Sequence, residues 1–188
     1  EKRGSFPAFA GSVYPRQGYR AMRNATVTTI APTGTISIIA GCSSGIEPLF
    51  ALSLSRRVLE GKVLTSASPT VELYLEERGL LTAKVRSAIE ERGTLAGTAL
   101  PEEVRRVLAT AHEIAPYWHV AQLAAAQRHV DNGVSKTVNM PREATEQDVA
   151  DIFRQAFASG CKGVTVYRDG SRDKQVLTGG MRCEDCLV

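Results

Sequence analysis

An apolar, β-branched run, Thr26-Val27-Thr28-Thr29-Ile30, leads into the short turn Ala31-Pro32-Thr33-Gly34-Thr35-Ile36-Ser37, and the small-residue run Ile38-Ile39-Ala40-Gly41 leaves it. That pattern predicts a strand over 26–30, a hydroxyl-rich turn and the start of a helix. Residues 1–25 mix Gly, Pro, Ser and Tyr without periodicity and predict an irregular connection with a short helical piece. Gly41 to Pro48 packs two glycines and two serines close together and predicts a loop, and partial alternation over 49–59 predicts an extended segment.

Helical periodicity dominates the middle of the chain. Pro69 opens a helix over 69–78 with Val71, Tyr74, Leu75 and Arg78 on one face, ended by Gly79. A second helix is predicted over 82–92, ended by Gly93. Pro101 opens a third, with Val104, Val107, Leu108 and Ala111 at helical spacing, and Pro116 a fourth, through Val120, Leu123, Ala124 and Gln127 to about Val130. Asp131-Asn132-Gly133 breaks it. A strand over 134–139 is stopped by Met140-Pro141, so that Lys136 and Asn139 read as ordinary strand termination ahead of a binding role. Thr145-Glu146-Gln147-Asp148 resembles a capping box, and Val149, Ile152, Phe153, Ala156 and Phe157 form the apolar stripe of the helix it starts, up to Gly160. A last strand over 162–167, a polar turn over 168–173 and a Gly-rich tail follow. Two strands separated by one capped helix suit a βαβ crossover and a parallel sheet, hence an α/β fold.

Composition narrows the class. The chain has 188 residues, 43% hydrophobic and 23% charged, enough for one domain with a sizeable core. A net charge of +3 with no run of five basic residues argues against a dedicated nucleic-acid patch. No segment reaches the length of a membrane helix, and residues 1–25 do not show the basic-then-apolar pattern of a signal peptide. The start, Glu1-Lys2-Arg3-Gly4, lacks a Met and predicts a boundary inside a longer polypeptide. Four cysteines, two of them isolated, fit a reducing compartment, and Cys42 and Cys161 read as small buried thiols.

Three features carry possible chemistry. The Ala31–Ser37 turn presents backbone N–H groups at a helix start, which suits a phosphate, and equally suits a plain strand-to-helix turn with Thr and Ser caps. It is not a P-loop, because no Lys-Ser/Thr pair follows the glycine. Cys183-x-x-Cys186 reads as a redox pair, as half of a four-thiolate zinc site, or as incidental tail cysteines. His112, His119 and His129 do not share a helical face, so they read as surface or hydrogen-bonded histidines rather than as a metal site.

Five stretches together resemble one family. They are Met22-Arg23-Asn24-Ala25-Thr26, the Ala31–Ser37 turn, Ser43-Ser44-Gly45-Ile46-Glu47-Pro48, His129 through Pro141, and Gly160 through Arg172. In this order they look like the C-terminal part of the large catalytic chain of ribonucleotide reductase, closest to its adenosylcobalamin-dependent branch, over roughly 5–177. The resemblance implies part of a ten-stranded α/β barrel, its second half, over 1–177, with a flexible Cys-containing tail over 178–188. It implies reduction of a ribonucleoside diphosphate at the ribose 2′ carbon, with adenosylcobalamin supplying the radical that converts an active-site cysteine to a thiyl.

Carried over residue by residue, Pro32, Thr33, Gly34, Thr35 and Ile36 would hold the substrate's phosphates, with Ser37 a weaker addition. Gly34 has no Cβ and would let backbone and phosphate approach closely. Glu47 would sit on a structural loop near the substrate, a reading preferred to that of a catalytic carboxylate. Cys183 and Cys186 would be the tail pair that a thioredoxin-like reductant serves. The family's radical cysteine lies in an Asn-x-Cys-x-Glu pattern, which surrounds neither Cys42 nor Cys161, so this chain alone would be inactive. Tyr167 is followed by Arg168 rather than by a second tyrosine, which disfavours the branch that relays a radical from a partner subunit and leaves Tyr167 as a core or site-bordering residue. The full enzyme would be a cytoplasmic homodimer. The other readings are that relay-type large subunit and a non-catalytic fragment that folds only against the remainder of the barrel.

Overall fold

The computed structural model describes residues 2–57 and 63–171. Cys183, Cys186 and the rest of the tail over 178–188 lie outside the described residues.

Two short 3-10 turns, Phe9–Gly11 and Pro15–Gln17, punctuate the irregular N-terminal arm. Phe6, Phe9, Tyr14 and Tyr19 pack edge to face along it, with centroids 5.7–6.1 Å apart. Helix α1 (Gly34–Ala40) follows the turn. Strands β1 (Ser53–Arg57) and β2 (Val63–Ala67) pair antiparallel. The extended segment expected over 49–59 therefore contains β1, and β2 is a strand the periodicity does not show.

Helix α2 (Pro69–Glu76) begins on a proline, which gives up only an N–H that the first turn leaves unpaired anyway. Helix α3 (Ala83–Arg92) is capped by Thr82, whose hydroxyl accepts the Val85 N–H at 3.2 Å, and stops at Gly93 in the left-handed region. Helix α4 (Glu102–Val107) is shorter than the spacing predicts. Beyond it the Ala111 N–H bonds the Leu49 carbonyl at 2.8 Å and the Thr110 N–H bonds Glu113 at 2.7 Å. These partners draw the backbone out of the helix, and Val107, expected on the inner face, is 65% exposed. Leu52, Val71, Leu75, Val85, Ile89, Leu95, Leu100 and Val104 form the first core.

The second core is built on helix α5 (Pro116–Gln127), strand β3 (Thr137–Met140), helix α6 (Glu146–Ala158) and strand β4 (Thr165–Arg168). β3 and β4 pair in parallel, Val138 opposite Val166, with α6 between them in the chain. That is the expected crossover unit. The capping box is present: Thr145 accepts the Asp148 N–H at 3.2 Å, and Asp148 accepts the Thr145 N–H at 2.8 Å. Val120, Val138, Met140, Ile152 and Ala156 are buried together. Phe153 and Phe157, expected on the same stripe, are 50% and 87% exposed. At about 100° per residue they stand to one side of the line through Val149, Ile152 and Ala156.

The strand expected over 26–30 is reduced to a single parallel bridge between Ile30 and Val134. Two backbone bonds tie the run to 131–135, from the Asn132 N–H to the Thr28 carbonyl at 3.0 Å and from the Ser135 N–H to the Ile30 carbonyl at 2.8 Å, and side chains add the rest. The Val27 N–H bonds the Asp131 carboxylate at 3.0 Å, the Asp131 N–H bonds the Thr28 hydroxyl at 2.8 Å, and the Thr29 hydroxyl donates to the Gly133 carbonyl at 3.0 Å. The Val27 N–H first, then the Thr28 hydroxyl and N–H and the charge on Lys162, hold the Asp131 carboxyl below its ordinary value. No helix among the described residues is long and apolar enough to cross a membrane.

Candidate functional site

The turn stands where the chain leaves Ile30, beside the start of β3. Its entry is fixed by the Ser135 N–H, which donates to the Ile30 carbonyl at 2.8 Å. Thr33 takes a left-handed φ of 51°, which turns the chain sharply into α1. The first bond of α1 runs from the Ser37 N–H to the Thr33 carbonyl at 2.9 Å. The N–H groups of Gly34, Thr35 and Ile36 precede that bond and have no acceptor within the helix. Pro32, Thr33, Gly34, Thr35 and Ile36 are all exposed, and a Cβ built on Gly34 meets nothing within 4 Å. All five expected phosphate residues are therefore exposed, on the turn and the first three positions of α1. Ser37 does not join them. It is 6% exposed, and its hydroxyl donates to the Gly34 carbonyl at 2.7 Å.

Loop 43–48 packs against this turn. The Ser44 hydroxyl donates to the Pro32 carbonyl, and Gly45, at φ +53°, lies so near that a Cβ would stand 3.0 Å from the Ala31 carbonyl oxygen. The loop also carries Glu47, which reaches the opposite way. Glu47 Oε1 accepts the Thr137 N–H at 2.6 Å, and Oε2 pairs with Lys136 Nζ at 2.7 Å.

Lys136 corrects the expectation of strand termination. It precedes β3 rather than closing it, and its side chain is wholly buried. Its ammonium spends three hydrogens on Glu47, on His119 Nδ1 at 2.8 Å and on the Thr137 carbonyl at 2.6 Å. His119 Nε2 faces the Ala111 carbonyl at 3.0 Å, so that nitrogen carries the proton and Nδ1 is free to accept from the lysine. Burial, and then the charge on Lys136, hold the His119 imidazole below its ordinary value. Burial lowers Lys136 too, and the bond to Glu47 opposes that shift. The sequence contains no local signal for this cluster, because Glu47 and Lys136 are 89 positions apart.

The remaining singled-out residues lie elsewhere. Asn139 is buried within β3 opposite Tyr167, which is half-buried in β4. Cys42 is exposed just after α1, against the expectation of a buried thiol, because Gly41 turns the chain outward at φ +65°. Cys161 is half-buried against the second core, and that burial raises its thiol. His112 is exposed and packs edge-on to Phe50, with centroids 5.0 Å apart, and His129 is exposed. Among the described residues no group of three or more His, Cys, Asp or Glu is placed to hold a metal.

The family profile for the ribonucleotide reductase barrel domain matches residues 16–167. A vitamin B12-dependent ribonucleoside-diphosphate reductase of Thermoplasma acidophilum is 51% identical over 180 residues, covering 96% of this chain and 23% of that protein. One of the same description from Mycobacterium tuberculosis is 48% identical over 95% of this chain and 25% of its own length. Among solved structures, the class Id ribonucleotide reductase alpha subunit of Actinobacillus ureae superposes with a TM-score of 0.65 at 25% identity, covering 82% of this chain and 28% of that one. The chain thus spans about a quarter of the length of these relatives. A family profile running from the N-terminal arm to β4, over the turn, loop 43–48 and the Lys136 cluster alike, shows that the chain belongs to the ribonucleotide reductase barrel-domain family.

Proposed function

We propose that this chain is the substrate-phosphate-holding segment of an adenosylcobalamin-dependent ribonucleoside-diphosphate reductase, which forms deoxyribonucleotides by radical reduction at the ribose 2′ carbon. The observation that carries the reading is the open face of Pro32–Ile36. Three backbone N–H groups outside the helix ladder and the Thr33 and Thr35 hydroxyls stand there on an anchored turn, with free space over Gly34. Such donors suit the oxygens of a diphosphate. Pro32 offers no N–H. Its carbonyl takes the Ser44 hydroxyl instead and sets the angle at which the turn enters α1. Family membership and the activity named for the relatives support the substrate class.

In the bound enzyme adenosylcobalamin supplies the radical chemistry. The part of this chain in the reaction is to bind and orient the charged end of the substrate. The reading extends to the remainder of a ten-stranded barrel, of which 1–177 is the second half, and to a separate tail over 178–188. There Cys183 and Cys186 form the redox pair served by a thioredoxin-like reductant. The complete enzyme is read as a cytoplasmic homodimer.

Thr35→Asp in the complete reductase tests the cradle. A carboxylate at this position repels a bound diphosphate and weakens it by about 1–3 kcal/mol, roughly 5- to 150-fold in Kd. An unchanged Kd for the ribonucleoside diphosphate removes the assignment.

A further inference from the structure

The turn, loop 43–48 and the approach to β3 form a closed ring of polar contacts. One side is the bond from the Ser135 N–H to the Ile30 carbonyl at 2.8 Å. The second is the bond from the Ser44 hydroxyl to the Pro32 carbonyl. The third is Glu47, which grips the Thr137 N–H at 2.6 Å and Lys136 at 2.7 Å. Within the loop the Glu47 N–H returns to the Ser44 carbonyl at 2.9 Å, so the residue that touches β3 and the residue that touches the turn are joined by one tight bend. Opening any side leaves the turn attached to the rest of the molecule through fewer fixed points.

Lys136 is the corner that makes the third side rigid. Neither it nor Glu47 belongs to either apolar core. A buried ammonium is costly unless every hydrogen is matched, and here each has an acceptor. His119 extends the corner to the segment before α5 through the Ala111 carbonyl. A lysine spent this way does little for apolar packing; it fixes where Glu47, and hence loop 43–48, can sit.

The geometry points to Glu47 and Lys136 as positioning residues for the phosphate turn, holding Pro32–Ile36 in its ligand-ready shape without touching the ligand. The inference rests on the reading of that turn as the substrate-phosphate cradle.

The test uses the complete reductase, with Kd for the ribonucleoside diphosphate from equilibrium binding and kcat from turnover. Glu47→Gln keeps the shape and an acceptor for the Thr137 N–H but removes the charge facing Lys136. Lys136→Met removes the other half. Each single variant is expected to raise Kd by roughly tenfold or more and to change kcat by less than about threefold. The double variant is expected to bind no worse than the weaker single one, because both break the same link. Should Lys136→Met fail to fold, Glu47→Gln decides alone, since Glu47 is partly exposed and the change is isosteric. Thr35→Asp, which acts on the turn directly, runs in parallel. If Thr35→Asp weakens binding and Glu47→Gln does not, the positioning role is overturned while the cradle stands. Additive losses in the double variant, or a loss of kcat at unchanged Kd, overturn it equally. If Thr35→Asp itself leaves Kd unchanged, the cradle falls, and the positioning role with it.

Discussion

Gly34→Ala separates what the fold needs at the turn from what a ligand needs. Gly34 is the first residue of α1, has no left-handed φ, and its added Cβ meets no atom within 4 Å. Nothing in the folded chain therefore resists the methyl group. Alanine is the better helix former and restricts the unfolded chain, so the substitution stabilises by about 0.5 kcal/mol. The space the methyl group takes is the space through which a phosphate would approach the N–H groups of Gly34, Thr35 and Ile36. Losing one charge-assisted hydrogen bond there costs about 1.5–3 kcal/mol, roughly a 10- to 150-fold rise in Kd. Gly45→Ala is the contrasting case. Its φ of +53° and the 3.0 Å approach to the Ala31 carbonyl oxygen make the methyl group a strain on the fold, so stability and binding fall together, by about 1–2 kcal/mol in stability. Both variants are measured in the complete reductase by thermal melting and by equilibrium binding of the ribonucleoside diphosphate. A Gly34→Ala protein that melts no lower than the parent yet binds the substrate equally well refutes the close approach. One that melts several degrees lower shows that the glycine serves the fold instead.

Three further outcomes are expected. Thr145→Ala removes the acceptor of the Asp148 N–H and half of the capping box, and lowers stability by about 1 kcal/mol in urea unfolding; an unchanged midpoint would mean that α6 is held by its apolar face alone. The His119 imidazole is held below its ordinary value, so the unfolded chain takes up a proton near pH 6.5 that the folded chain refuses. This share of stability is present above that pH and is lost as pH falls through it, whereas Asp131 and Asp148, also held low, weaken the fold only in the lower carboxylate range. His119→Gln should flatten the change in unfolding free energy between pH 7.5 and 5.5, and an identical slope would contradict the assignment. Finally, Cys183→Ser and Cys186→Ser should each abolish multiple turnovers driven by a thioredoxin-type protein while sparing turnover driven by a small dithiol, and full activity with the protein reductant would rule the pair out.

Local signals in the chain translated directly into structure. Pro69, Pro116, Thr82, Thr145 and Gly93 act through their own backbone neighbours, and the elements they open or close appear where such residues place them. The five residues proposed to hold phosphate are consecutive and all exposed. Signals failed where a distant partner decides. Apolar spacing extends α4 to Ala111, but the Leu49 carbonyl captures that N–H. The β-branched run at 26–30 has strand propensity, yet Asp131, Thr28 and Thr29 replace part of the ladder with side-chain bonds. Lys136 sits in a strand-like run that reads as routine, and only the arrival of Glu47 and His119 from other parts of the chain makes its burial possible.

This division has a consequence for how the site assembles. The turn has intrinsic conformational preferences, but its anchors, Ser135 on Ile30 and Ser44 on Pro32, come from segments about 100 and about 12 positions away. Helix α1 adds little support of its own: it has seven residues, and Ile36 and Ile39 are 67% and 81% exposed. A helix that short is marginal without packing. The shape of the turn therefore depends on long-range contacts, which need residues near 30 and near 135 brought together across the long stretch between them. The side of the ring that Glu47 and Lys136 form is the one whose members are charged and mutually dependent, with Lys136 wholly buried. A ligand-ready turn and a formed Glu47–Lys136 pair are thus two readouts of one assembly step, which is why a charge change at Glu47 should register at the phosphate face while both apolar cores stay intact.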